Sequence, residues 1–172
     1  MSSSAFALSD KKTAAIKVAY LYYFSKFVTW PQSVEFNQQQ INLCSGNVSE
    51  EEAYQLSTVN GKNVSGNSLN VIYIQAEQLA AEKATSSYVK KLLSECHIVY
   101  VNASFAYWFN QHVQEVSEYA LIVSDSELLN KTDIFLFTQK NKLSFEINDK
   151  AVEKKGLKIS SKLLKLSKRR EG

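Results

Sequence analysis

The run Ile16-Lys17-Val18-Ala19-Tyr20-Leu21-Tyr22-Tyr23-Phe24-Ser25-Lys26-Phe27-Val28-Thr29-Trp30-Pro31 constrains the fold more than any other part of the chain. It is apolar and aromatic enough for a membrane. Lys17, Ser25, Lys26 and Thr29 nevertheless interrupt it, well short of the roughly 18 consecutive apolar residues that a spanning helix needs. At about 100° per residue, Ile16, Ala19, Tyr20, Tyr23, Phe24, Phe27 and Trp30 share one broad face. Val18, Leu21, Tyr22 and Val28 spread over the rest and leave no clean polar side. The spacing predicts a helix buried on more than one side, in its own core and against any partner the chain has. The Trp30-Pro31 step is expected to end it, because proline biases the residue before it out of the α region.

With 172 residues, one proline and five glycines, the chain has the length of a single domain and no Pro/Gly-rich linker. The net charge of +3 is unevenly spread: residues 149–172 carry +6 and the remainder −3. Of the cations near the end, only Lys168, Arg169 and Arg170 are clustered, and no aromatic residues interleave with them. Base stacking needs such aromatics, so the pattern argues against nucleic-acid binding and for a basic tail behind a last helix. Ala5-Phe6-Ala7 has the small-x-small form of a signal-peptidase site. Three letters match by chance easily, and the charged and apolar regions of a signal do not precede them; the division expected is 1–12 a signal-peptide remnant or disordered N-terminus, 13–167 the folded domain, and 168–172 a basic tail.

Downstream, Gln40 to Ser45 reads as a strand closing at Gly46, and Glu50 to Ser57 as a short helix. Turn signals at Asn60-Gly61 and Ser65-Gly66-Asn67 bracket Lys62-Asn63-Val64, and Leu69 to Ile74 is a strand. Ala84 to Glu95 reads as a helix with Tyr88 and Leu92 inward, joined by Val89 and Leu93. His97 to Val101 and Tyr119 to Val123 are continuous apolar strands of the buried kind. Between them Ser104 is expected to cap a helix running to about Val116, with Trp108 in the core. Asp133–Thr138 and Lys142–Asn148 form a hairpin around Lys140-Asn141. A short helix from Asp149 stops at Gly156, and a last one starts at Ser160 or Ser161. Strands alternating with helices, plus one hairpin, give an α/β sandwich with a mixed sheet of about five to six strands.

Chemical signatures are sparse. The sequence has no G-x-G-x-x-G, no phosphate-binding loop and no G-x-S-x-G elbow. His97 and His112 have no ligand-spaced neighbours, so neither a metal site nor a cofactor is expected. Cys96 and His97 are adjacent, but neighbouring side chains on a strand point to opposite faces and cannot readily pair for catalysis. The chain is therefore read as a non-enzyme. Glu50-Glu51-Glu52 reads as acidic charge at a helix N-terminus. The accessible face of the last hairpin strand, Lys142, Ser144, Glu146 and Asn148, is the candidate ligand or partner face. Cys44 and Cys96 are compatible either with one disulfide or with two buried thiols. A bridge would close a loop of about 52 residues, worth roughly 4 kcal/mol in the chain-entropy picture.

In order along the chain, these segments resemble the YfiR-like family. That family opens with a helix of the form I-K-x-A-[YF]-L-Y-x-F-[AS]-K-F-V-x-W-P, met here from Ile16 to Pro31. Leu43-Cys44-Ser45-Gly46 and Cys96-His97-Ile98-Val99-Tyr100 follow its next two blocks. Phe145-Glu146-Ile147-Asn148 and the run Gly156 to Leu166 follow its last two. The likeness runs from about Ala14 to Leu166. Many members carry Gly-Gly before the hairpin where this chain has Lys131-Thr132, so loop contacts do not transfer there. The resemblance implies a periplasmic protein made with a signal peptide, and a disulfide between Cys44 and Cys96. It implies repression of a membrane diguanylate cyclase through its periplasmic sensor domain, and so control of cyclic-di-GMP and biofilm formation. It also implies sequestration by an OmpA-like outer-membrane lipoprotein and a homodimer. Tyr22, Lys26 and Trp30 of the entry helix are the candidate dimer or partner positions. The alternative reading is a periplasmic small-molecule sensor that uses the Lys142, Ser144, Glu146, Asn148 face.

Overall fold

The computed structural model describes residues 10–170. Ala5-Phe6-Ala7 lies outside them. The first helix, α1 (Asp10–Phe27), starts earlier and stops earlier than expected. Its first turn takes in Asp10 to Lys12, and its end comes before Trp30-Pro31. Val28 and Thr29 leave the helix because both are β-branched and find a partner. They form β1 (Val28–Thr29), antiparallel to β9 (Lys158–Ile159).

The main sheet contains β2 (Gln40–Gly46), β3 (Asn63–Val64), β4 (Asn67–Ile74), β5 (Ile98–Val101), β6 (Leu121–Ser124), β7 (Ile134–Gln139) and β8 (Lys142–Ile147). It has seven strands rather than five to six, in the order β3-β4-β2-β5-β6-β7-β8. The five strands β4, β2, β5, β6 and β7 are mutually parallel, and β3 and β8 add antiparallel edges. Hairpin β7–β8 turns on Lys140 and Asn141, both at positive φ (52° and 60°), the two-residue turn that suits the twist of paired strands.

Helices cover both faces. α1, α2 (Glu50–Val59), α6 (Asp149–Lys154) and α7 (Ser161–Leu166) enclose one apolar cluster. Its centre is aromatic: Phe145 meets Tyr20 and Phe24 edge-on, with ring centroids 5.1 and 5.0 Å apart. On the other face α3 (Ala76–Ala81), α4 (Ser86–Ser94) and α5 (Ala103–His112) close a second cluster around Phe105, Phe109, Val99 and Cys44.

Three local expectations are corrected. α4 is shorter than expected and buries Val89 and Leu93, while Tyr88 is 54% exposed. α3 occupies the segment just before it. Asn102, not Ser104, caps α5: its side-chain oxygen accepts the Phe105 N–H at 3.1 Å, and the helix stops at His112.

Candidate functional site

In an open parallel sheet, ligands usually bind beyond the carboxyl ends of the strands, where the strand order reverses. Here that point lies between β2 and β5, since the chain runs outward from β2 to β4 and then crosses back to β5. The protein's own groups fill it. Asn47 donates from its side chain to Ser104 O at 3.1 Å, and its Oδ1 accepts the Ala76 N–H at 3.0 Å. Asn47 O accepts from Asn102 Nδ2 at 3.1 Å and from Ser104 Oγ at 3.3 Å. Beneath it, Phe105 lies flush against Gly46, where a Cβ would come within 2.0 Å of the ring. The absent side chain of Gly46 lets α5 close the crevice.

Beside the crevice, on the α1 side, Tyr100 is 1% exposed and its hydroxyl meets two carboxylates. It lies 2.7 Å from Glu52 Oε2 and 2.9 Å from Asp125 Oδ2, which also takes Lys17 Nζ at 2.5 Å. Burial and the two neighbouring charges hold the phenol well above its ordinary value, so it stays a donor. Glu52 serves twice. Its other oxygen accepts the Ser49 N–H, and Ser49 Oγ accepts the Glu52 N–H, completing a capping box on α2. Next to Tyr100 in the β2–β5 pairing stands Ser45, whose Oγ is buried without a partner among the described residues. This cluster locks α1 and α2 to the sheet.

Toward the opposite end of β5, Cys96 forms the disulfide with Cys44 of β2, and both residues are 0–1% exposed. His97 follows Cys96 and is spent on structure. Its Nδ1 accepts the Asn42 N–H at 2.8 Å, while Nε2 faces Glu35 O at 3.4 Å. The ring packs 4.8 Å from Phe36 and 6.4 Å from Trp30. Burial lowers its pKa, partly offset by the carbonyl of Glu35, and so favours a neutral ring. A polar cleft of about 580 Å³ opens here, lined by Asn37, Gln38, Asn42, Asn70 and His97.

A second open cleft, about 880 Å³, lies along β7 and β8 under the C-terminal tail. It contains Glu146 and Asn148 of the candidate face, but neither Lys142 nor Ser144 lines it. Lys142 is exposed at the hairpin end, Ser144 is 8% exposed, and Asn148 caps α6 by accepting the Ala151 N–H. Of the entry-helix positions, Lys26 is exposed and lies over the Tyr22 ring, which also carries Lys62. Trp30 is buried at 7% and donates its indole N–H to Tyr119 O at 3.0 Å, within its own protomer.

Sequence reasoning missed the tail's contacts. Arg170 bonds Glu146 through Nε at 2.8 Å and Glu127 through Nη1 at 3.0 Å. Its guanidinium carbon lies 4.3 Å from the Phe135 ring centroid. A cluster of three cations gives no address for its partners, so no local signal could have found this one. The capping box, by contrast, has a local signal, the S-x-x-E spacing of Ser49 and Glu52, which the reading of Glu50-Glu51-Glu52 as helix N-terminal charge left unused.

Among the described residues no helix is long and apolar enough to cross a membrane. None of their His, Cys, Asp and Glu side chains form a group of three or more suited to a metal.

A profile of the YfiR/HmsC-like family matches residues 14–168. The chain belongs to that family, whose members are known as periplasmic regulators in cyclic-di-GMP signalling. Among solved structures, the crystal structure of a conserved domain protein from Vibrio cholerae O1 biovar El Tor is similar in fold, with a TM-score of 0.57. The two are 11% identical over 94% of this chain and 60% of that one, so this chain spans 60% of that protein's length. No curated protein matches.

Proposed function

We propose that this chain is a periplasmic repressor that binds the sensor domain of a membrane diguanylate cyclase and holds the enzyme in its inactive state. The observation that carries the proposal is the family match over residues 14–168. The buried Cys44–Cys96 bond supports it, since such bonds persist in oxidising compartments such as the periplasm. Repression would act through differential affinity: the protein binds the inactive sensor better and shifts the population toward it. Sequestration by an OmpA-like lipoprotein would reverse it. A second copy would meet the first along α1 at Tyr22 and Lys26, since the Trp30 indole is already bonded within its own protomer.

Deleting the gene should raise cellular cyclic-di-GMP and biofilm, and the purified protein should retain a cyclase from solubilised membranes. Unchanged cyclic-di-GMP with no cyclase retained would overturn the proposal. The small-molecule reading has one supporting observation, the cleft that brings Glu146 and Asn148 together. Thermal-shift screening against nucleotides and amino acids tests it, and loss of the shift in Glu146→Ala would locate the site.

A further inference from the structure

The register of the last hairpin fixes which backbone groups of β8 face outward. Asn148 donates to Asp133 O, and Ile147 pairs with Ile134, so the even-numbered residues of β8 bond to β7. The backbone groups of Leu143, Phe145 and Ile147 therefore point off the open edge of the sheet. Leu143 O accepts the Tyr20 hydroxyl at 2.9 Å, and Phe145 O accepts the Lys168 N–H at 2.8 Å. Among the described residues the tail thus caps the edge with one backbone bond, where an added strand would make several.

Two residues further along, Arg170 fills a constellation suited to a guanidinium. Glu146 and Glu127 take its Nε and Nη1, and Phe135, stacked on Phe137 at 6.3 Å, lies beneath its plane. Two carboxylates around an aromatic face select arginine over lysine, because only the planar fork can donate sideways to both while stacking. Phe135 and Phe137 are half-buried on the outer face of the sheet, in register with Glu146 and Ser144.

We propose that the β8 edge, with Phe135, Glu127 and Glu146, is a docking site for an extended peptide segment bearing an arginine, and that the chain's own tail occupies it as an intramolecular competitor. The tail shows the required chemistry in place: a backbone N–H to Phe145 O and, two residues on, a guanidinium between the two acids. A partner strand carrying the same pattern gains the outward N–H groups of Leu143, Phe145 and Ile147 and the Ile147 carbonyl, since Leu143 O is already taken by Tyr20. Tethering gives the tail a high effective concentration, so the site opens only to segments that bind better or when the tail is drawn away. The proposal does not depend on which protein supplies the segment.

The test uses the full chain and a fluorescein-labelled peptide with the sequence of residues 165–172. A control peptide has alanine at the position of Arg170. Fluorescence anisotropy should show Arg170→Ala protein binding the arginine peptide about tenfold or more tightly than the native chain does, with binding weakened by salt. Adding Glu146→Gln to the Arg170→Ala chain should abolish binding, and the control peptide should not bind. Circular dichroism establishes that each variant is folded. Equal binding by the native and Arg170→Ala chains, equal binding of the two peptides, or retained binding with Glu146→Gln would each overturn the proposal. So would failure of the folded Arg170→Ala chain to bind. Because the readout uses only this protein and a peptide, it fails or succeeds independently of any cyclase.

Discussion

Gly46 sits at the end of β2 under the Phe105 ring, and a single methyl group there tests how the strand-end crevice is closed. A Cβ at Gly46 would fall 2.0, 2.1 and 2.3 Å from Cδ2, Cγ and Cε2 of Phe105. Carbon atoms settle about 3.5–4.0 Å apart, so the ring must retreat by roughly 1.5 Å. It has little room to do so. Phe105 is fully buried, with Trp108 and Phe109 at 5.1 and 6.1 Å between centroids. Overpacking costs about 1–3 kcal/mol, and a clash with a ring held on both sides belongs at the upper end, about 3 kcal/mol. For a chain of this size each kcal/mol moves the melting temperature by about 2–4 °C, so Gly46→Ala should lower it by about 6–12 °C. Urea unfolding followed by circular dichroism gives the free energy. The decisive variant adds Phe105→Leu, which makes space for the methyl group. The pair should then cost less than the sum of its parts by about 2 kcal/mol. A Gly46→Ala protein within about 0.5 kcal/mol of the native one would refute the reasoning, and so would strict additivity with Phe105→Leu.

Reducing the Cys44–Cys96 bond, or replacing both cysteines by alanine, should cost about 4 kcal/mol through the 52-residue separation it closes, and lower the melting temperature by about 8–16 °C. Identical melting curves with and without reductant, once thiol titration shows the bond open, would contradict this. His97 is held below its ordinary value in the fold, so below about pH 6.5 the unfolded chain binds more protons than the native one. Stability should be complete above that pH and fall as pH drops through the folded value. Melting curves from about pH 7.5 to about pH 5 should show the loss, and His97→Asn should flatten it; an equally steep profile in the variant would assign the effect to other groups. Asp125→Ala strips a carboxylate from Lys17 and leaves Tyr100 with Glu52 alone, at a cost of about 2 kcal/mol. Chemical unfolding within about 0.5 kcal/mol of native would show that the cluster is idle.

The parts of the fold that periodicity alone could reach were the buried strands and the hairpin. Ile98–Val101 and Leu121–Ser124 are uniformly buried, and a run of apolar residues admits little else at that length. The last turn of the entry region was not legible, because Val28-Thr29-Trp30 suits a helix by its spacing and becomes β1 only when Lys158-Ile159 arrives from far along the chain. In α4, helical spacing admits Tyr88 and Leu92 as well as Val89 and Leu93 on the inner side, and packing on the sheet buries only Val89 and Leu93. The candidate strand face was placed on the right strand, but alternation could not reveal that a tail 24 residues later reaches back to Glu146. Ion pairs between distant segments have no local periodicity, so both the Arg170 and the Lys17 contacts had to come from the folded chain.

The closure of the crevice bears on what kind of protein this can be. Doubly wound sheets usually keep the strand ends open because a ligand must reach backbone N–H groups there. Here Asn47 spends its side-chain oxygen on Ala76 N, and Asn102 caps α5 with its own. Beneath them Phe105 stacks on Trp108, with ring centroids 5.1 Å apart. A regulator that works by binding needs surface rather than a crevice. The fold supplies it at the opposite extreme of the same sheet, where β8 ends the strand order and the outer face of β7 carries half-buried phenylalanines. Among the described residues the tail covers that edge with one backbone bond and two ion pairs of Arg170, contacts weak enough individually to be exchanged. Fixing the crevice with buried packing and the edge with solvent-screened charges therefore separates what holds the protein together from what it can release.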